Sequence, residues 1–210
     1  MCLYKSILLT ILSTSALAAS LSAGTVEGVL TFEKRNPYVG LAYFSDANDG
    51  GPDVCGTLDQ KDKAFSKLLV VGKEGCEIKF HNSDDTDHNI FANDLESGVN
   101  FDVGLIPPGG DSSTVVNWNA GRLVRVGCKI HPKMVSYIAN LPTSRYAIVE
   151  FEEGQLETRF AVADVDDSSV AFELVLQPLD RISVSIASGE TKTVDVTYKG
   201  KVFGTLTLTR

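Results

Sequence analysis

The sequence predicts an all-β chain: a β-sandwich followed by a second, smaller β-sandwich-like domain. Three observations carry this. Short runs rich in Val, Ile, Thr, Tyr and Phe recur along the chain, Gly, Pro and Asn separate them, and no stretch sustains a helical period.

Residues 1–18 read as a signal peptide. Lys5 gives a basic start, residues 7–12 an apolar core, and Ala16-Leu17-Ala18 a small-x-small cleavage pattern. The apolar run is too short to cross a bilayer, and no later stretch approaches the required ~20 apolar residues. The mature chain is therefore expected to be exported to the periplasm, with no membrane insertion. Residues 25–32 and 39–44 then read as strands around the Asn36-Pro37 turn. Stretch 46–52 is a loop by composition, and 55–66 is the one region with helical or irregular character. Residues 67–71 and 76–80 read as a hairpin turning at 72–75, and 82–87 as a polar turn leading to His88. Strands at 101–106, 113–118 and 122–126 complete a first domain over 24–141. After Leu141-Pro142, six strand-like runs between 146 and 208 contain no His, Cys or Met. They define a C-terminal β-domain over 143–210, to which no role is assigned.

Charge narrows the partners. The segment to Ala18 holds one Lys and no acid, so its removal takes the net charge from −8 to −9. Such a chain repels nucleic acid and anionic lipid, and a charged partner is expected to be basic. Export leaves three cysteines, Cys55, Cys76 and Cys128, an odd number for an oxidising compartment. The simplest resolution pairs Cys55 with Cys76 and keeps Cys128 as a metal-bound thiolate. The alternative pairs Cys128 with one of the others and leaves no metal site.

The chemistry concentrates in Cys128-Lys-Ile-His131-Pro-Lys-Met134, with His88 forty positions upstream. Two imidazoles, a thiolate and a weak thioether are the ligand set of a blue-copper electron-transfer centre. Soft sulfur suits Cu(I), and imidazole suits either oxidation state. Pro132 fixes its own φ and disfavours the α region at His131, which stiffens the ligand loop. Zinc is the competing metal, but it favours closed sets of Cys and His over a thioether. Each residue also has a plainer role: Met134 as core filler, Cys128 as half of a disulfide, His88 as a surface residue. Against these, two of the three His and the only Met after Met1 fall on the pattern. His81 is left over, close to Asp84, Asp85 and Asp87. It reads as a surface histidine at a strand end, with a weak loading site as the sharper alternative.

These residues resemble the cupredoxin family, with the plastocyanin-like proteins of the methylamine-utilisation type and amicyanin as the nearest pattern. The resemblance spans Gly24 to about Asn140. It is carried by Ile78-Lys-Phe-His-Asn-Ser-Asp-Asp-Thr-Asp-His-Asn-Ile-Phe91 and Val126-Gly-Cys-Lys-Ile-His-Pro-Lys-Met134. It implies a Greek-key cupredoxin sandwich binding one type 1 copper, with His88, Cys128 and His131 as equatorial ligands and Met134 as the axial one. Asn89 matches the family's Asn that ties the two ligand loops. Many members place Ser or Thr after the ligand Cys to meet that Asn; here the position is Lys129, so the tie is expected to use backbone or be absent. The C-terminal part only loosely resembles the carboxypeptidase-regulatory-like β-domain that follows some cupredoxins.

The function this predicts is a non-enzymatic periplasmic electron carrier with transient redox protein partners. Copper handling (storage, delivery or sensing without redox turnover) is the second reading, although Met- or His-rich tracts are missing. A copper oxidase or nitrite reductase needs further His pairs, and only His81 remains.

Overall fold

The computed structural model describes residues 23–95 and 98–210; the expected signal peptide at 1–18 lies outside them. The described residues form strands and loops, and none of their helices is long and apolar enough to cross a membrane. The strands are β1 (Ala23–Phe32), β2 (Val39–Phe44), β3 (Thr57–Lys61), β4 (Ala64–Phe65), β5 (Leu69–Gly72) and β6 (Glu77–Asn82). They continue with β7 (His88–Asp94), β8 (Val99–Ile106), β9 (Asp111–Val115), β10 (Leu123–Cys128), β11 (Val135–Asn140) and β12 (Tyr146–Glu150). The last five are β13 (Glu157–Asp166), β14 (Ala171–Gln177), β15 (Ile182–Ser185), β16 (Thr191–Tyr198) and β17 (Lys201–Thr209).

Four sheets form, with strand orders β4-β3-β6-β9, β5-β11-β10-β7-β8, β12-β2-β14-β15 and β13-β1-β17-β16. The first two close over Leu58, Ile78, Phe80, Ile90, Val124, Val126 and Ile138 as one sandwich. The last two close over Leu30, Phe44, Phe172, Leu174, Leu206 and Leu208 as another. A third apolar layer joins the sandwiches: Val39, Leu41 and Tyr43 of β2 and Val175 of β14 pack on Leu69, Val71, Leu123, Tyr137 and Ala139. Strands β2 and β5 are therefore buried along their whole length and β11 along nearly all of it. Burial on both faces is why Leu69-Val-Val71 reads as an unbroken apolar run instead of an alternation.

This pairing differs from the expected division at 141/143. β1 is antiparallel to β13 and β17, and β2 to β12 and β14, so the first two strands belong to the sheets of the C-terminal segment. The sandwich that carries His88 and Cys128 is built from β3 to β11 and sits in the connection between β2 and β12, two adjacent strands of one sheet. Ends this close make an inserted domain compatible with the host sandwich. Asp49 fastens the two crossing segments. Its carboxylate accepts from the Ser144 amide at 2.8 Å, the Ser144 hydroxyl at 2.6 Å and the Gly51 amide at 3.2 Å, and it pairs with Arg145.

Two local expectations also change. Region 55–66 holds β3 and β4, joined through Asp62 and Lys63 at positive φ. The alternation of β3 is hidden because one inward position is Gln60, fully buried with its amide donating to the His81 carbonyl at 3.2 Å. Residues 67–71 and 76–80 do not form a hairpin: β5 pairs in parallel with β11, and β6 lies in the facing sheet. Cys55 and Cys76 form a disulfide, with Cα atoms 6.0 Å apart. Closing a loop of this size stabilises by roughly 3 kcal/mol in the chain-entropy model.

Candidate metal centre

Cys128 is the last residue of β10, and Gly127 and Cys128 pair with Phe91 and Ile90 of β7. His88 opens β7, so two antiparallel neighbours bring residues forty positions apart to one sandwich end. The loop from Cys128 carries His131 and returns at Met134, whose amide donates to the His131 carbonyl at 2.9 Å. The Cys55–Cys76 bridge marks the opposite end, because β3 and β6 run in parallel from it towards the loop that delivers His88.

The donor atoms converge. Cys128 Sγ lies 3.7 Å from His88 Nδ1 and 3.7 Å from His131 Nδ1, and the two Nδ1 atoms are 3.1 Å apart. A point equidistant from these three atoms falls about 2.0 Å from each, which is the length of a metal–imidazole bond and slightly short for metal–thiolate. Cys128 is a free, buried cysteine, His88 is fully buried, and His131 is partly exposed. Met134 is 2 % exposed on the loop that carries His131. This group of two imidazoles and one sulfur fits a borderline-soft metal, and it is the one cluster of three or more His, Cys, Asp or Glu donors found among the described residues.

The surroundings set the protonation states. His88 Nε2 donates to Asp84 Oδ2 at 3.0 Å, which fixes the tautomer and turns the Nδ1 lone pair towards the cluster. The Lys63 amide, then His88, hold the Asp84 carboxyl down at about 2. Desolvation, then the nearby His88, hold His131 below its ordinary pKa and favour the neutral imidazole that a metal needs. The Asn89 amide donates to Cys128 Sγ at 3.4 Å.

His81 is elsewhere. It lies on β6, 41 % exposed, with Nδ1 2.8 Å from Asp111 Oδ1. The strands carrying His88 and Cys128 are tied through backbone, one of the two outcomes expected with Lys129 at this position. The Lys129 amide donates to the Asn89 carbonyl at 3.3 Å, and the Asn89 side-chain amide and the Lys129 ammonium both bind Asp102 on β8. Asn89 Oδ1 is buried and has no hydrogen-bond partner among the described residues. Lys129, with Gly104 and Asn89, holds the Asp102 carboxyl at about 2. Sequence reasoning missed Asp84 as the partner of His88, and its position four residues before that histidine was the available signal. It missed Asp102 altogether.

No family model matches the chain, and no curated protein does. Among solved structures, part of the chain is similar to a purple cupredoxin from Nitrosopumilus maritimus (18 % identity, TM-score 0.36, 40 % of this chain and 98 % of that one). Part is similar to a reduced mutant of amicyanin (16 %, TM-score 0.36, 47 % and 90 %). A copper-containing nitrite reductase from Thermus scotoductus SA-01 also matches (18 %, TM-score 0.35), covering 39 % of this chain and only 21 % of its own length. At these values the likeness concerns only the fold of part of the chain.

Proposed function

We propose that this chain is a periplasmic type 1 copper protein that carries single electrons between redox partners. His88, Cys128 and His131 would hold the copper, with the Met134 thioether as a weaker fourth ligand. The observation that carries the reading is the convergence of one buried thiol and two Nδ1 atoms within 3.7 Å of one another. Bound copper supplies a one-electron Cu(II)/Cu(I) couple. The protein residues do the rest. The paired β7 and β10 backbones hold His88 and Cys128, Pro132 stiffens the return loop, and Asp84 orients the His88 ring. A site held this way changes little between oxidation states, which keeps the reorganisation cost of transfer small. Burial of Cys128 and His88 excludes water, while the partly exposed His131 offers the route for an electron to a partner docked over Pro132. Transient redox complexes use small interfaces of this kind. The chain is read as a carrier and not an enzyme, since His81 stands apart from the centre and no further His pair supports a second copper.

Copper storage, delivery or sensing is the second reading. Voltammetry of the copper-loaded chain, followed by incubation with a Cu(I) chelator of graded strength, separates the two. A carrier cycles reversibly and keeps its copper in both states. Irreversible cycling with ready release of Cu(I) would replace the carrier reading with a delivery role.

A further inference from the structure

Strands β7 and β8 do not pair evenly beside the cluster. Asn89 faces Leu105 and Phe91 faces Asp102, so β8 spends one residue more than β7 over this step. The extra residue is accommodated at Gly104, whose φ of 76° is a left-handed value that glycine adopts without strain. Bulges of this kind re-aim side chains. Here the bulge turns the Asp102 carboxylate back over its own strand, so that Oδ1 accepts from the Gly104 amide at 2.9 Å.

The same oxygen accepts from Asn89 Nδ2 at 2.6 Å, and the Gly104 carbonyl accepts from Nδ2 at 3.0 Å. Both partners are acceptors, so the orientation of the Asn89 amide is settled by chemistry. The other carboxylate oxygen, Oδ2, binds the ammonium of Lys129, which follows Cys128 directly. Asp102 therefore touches Asn89 of β7 and Lys129, the residue that follows β10. Between them, the Asn89 N–H points at Cys128 Sγ and the Asn89 carbonyl receives the Lys129 amide.

We propose that Asp102 is a positioning residue for the thiolate. Its carboxylate bridges Asn89 to Lys129 and so holds the Asn89 N–H against Cys128 Sγ, taking the place of a hydroxyl tie between the two ligand strands. The consequence for copper rests on the type 1 reading above, but the positioning itself belongs to the protein with or without metal. Lys129 contributes through the bridge and not through the ligand set.

The test is amide hydrogen exchange across the full chain, metal-free and Cu(I)-loaded, in Asp102→Ala, Asp102→Asn and Lys129→Met. Asp102 is 43 % exposed on an edge strand, so these variants are expected to fold. Asp102→Ala is expected to speed exchange at Asn89 and Lys129 on the order of tenfold while Ala92, farther along β7, keeps the wild-type rate. Asp102→Asn retains an acceptor for Asn89 and is expected to keep most of the protection; Lys129→Met gives a smaller rise. Cu(I) affinity in Asp102→Ala is expected to fall about tenfold, the lower end for loss of an outer-shell partner. Unchanged exchange at Asn89, or a rise shared equally by Ala92, overturns the proposal. If the wild-type chain forms no copper–thiolate centre, the functional reading fails separately, and exchange in the metal-free chain still decides the role of Asp102.

Discussion

Replacing Asp49 by Ala tests how the two sandwiches are joined. The carboxylate receives two bonds from Ser144 and one from the Gly51 amide, and it pairs with Arg145, all on the two segments that cross between β2 and β3 and between β11 and β12. Its side chain is 24 % exposed, so each contact is discounted for solvent. Three charge-assisted bonds and one ion pair, at about 0.5 kcal/mol each after that discount, give a loss of about 2 kcal/mol. In a chain of this length that lowers Tm by about 4–8 °C. Differential scanning calorimetry measures it, with the visible spectrum of the copper-loaded chain as a control. The spectrum should not move, since the clamp lies at the disulfide end, away from the cluster. The pH dependence follows with a definite sign. Burial works to raise the Asp49 carboxyl, but Ser144, Gly51 and Arg145 together hold it below its ordinary value of 3.8. A carboxyl depressed in the folded state stabilises above 3.8 and loses that contribution as pH falls through the folded value. The Tm gap between wild type and Asp49→Ala should therefore be full at neutral pH and narrow below pH 3.8. A variant that melts with wild type at pH 7 would show that sheet pairing alone holds the crossing segments and refute this reasoning.

Other expectations concern the centre and the layers. Cys128→Ser should abolish the charge-transfer colour of the copper-loaded chain; a retained blue band would remove Cys128 from the ligand set. Met134→Leu, close to isosteric in a buried position, should leave copper bound and shift the reduction potential, with stability changing by less than about 1.5 kcal/mol. An unchanged potential in voltammetry would show that Met134 is core filler. His81→Ala should leave copper stoichiometry and loading rate at wild-type values, and slower loading in stopped-flow would revive a second site on β6. Leu41→Ala, fully buried between the sandwiches, should cost about 2–5 kcal/mol in denaturant unfolding without altering the spectrum.

The part of the site written in one stretch was legible. Cys128 and His131 stand three positions apart, and the end of β10 and the start of β11 leave that stretch as a single tight loop. His88 was reached through the combination of residue types, and the pairing of β7 with β10 supplies the physical reason that it joins them. Strand content was legible because burial on one or both faces marks the sequence directly. Sheet membership was not. Residues 25–32 and 39–44 have the same composition as strands of either sandwich, and only long-range pairing with β12, β13, β14 and β17 decides where they go. Gln60 hid β3 because a polar residue at an inward position breaks the alternation. Asp102 was invisible for a related reason: a carboxylate on an edge strand is ordinarily solvated, and its role depends on a bulge that the sequence marks only by Gly104.

The proposed copper–thiolate centre at Cys128 is tested most directly by the visible absorption of the purified chain titrated with Cu(II). An intense blue band that saturates at one copper per chain and bleaches reversibly with ascorbate is the expected result. A titration with no such band would contradict the claim and leave Cys128 as a ligand to colourless Cu(I) or zinc, or as a thiol with no metal at all.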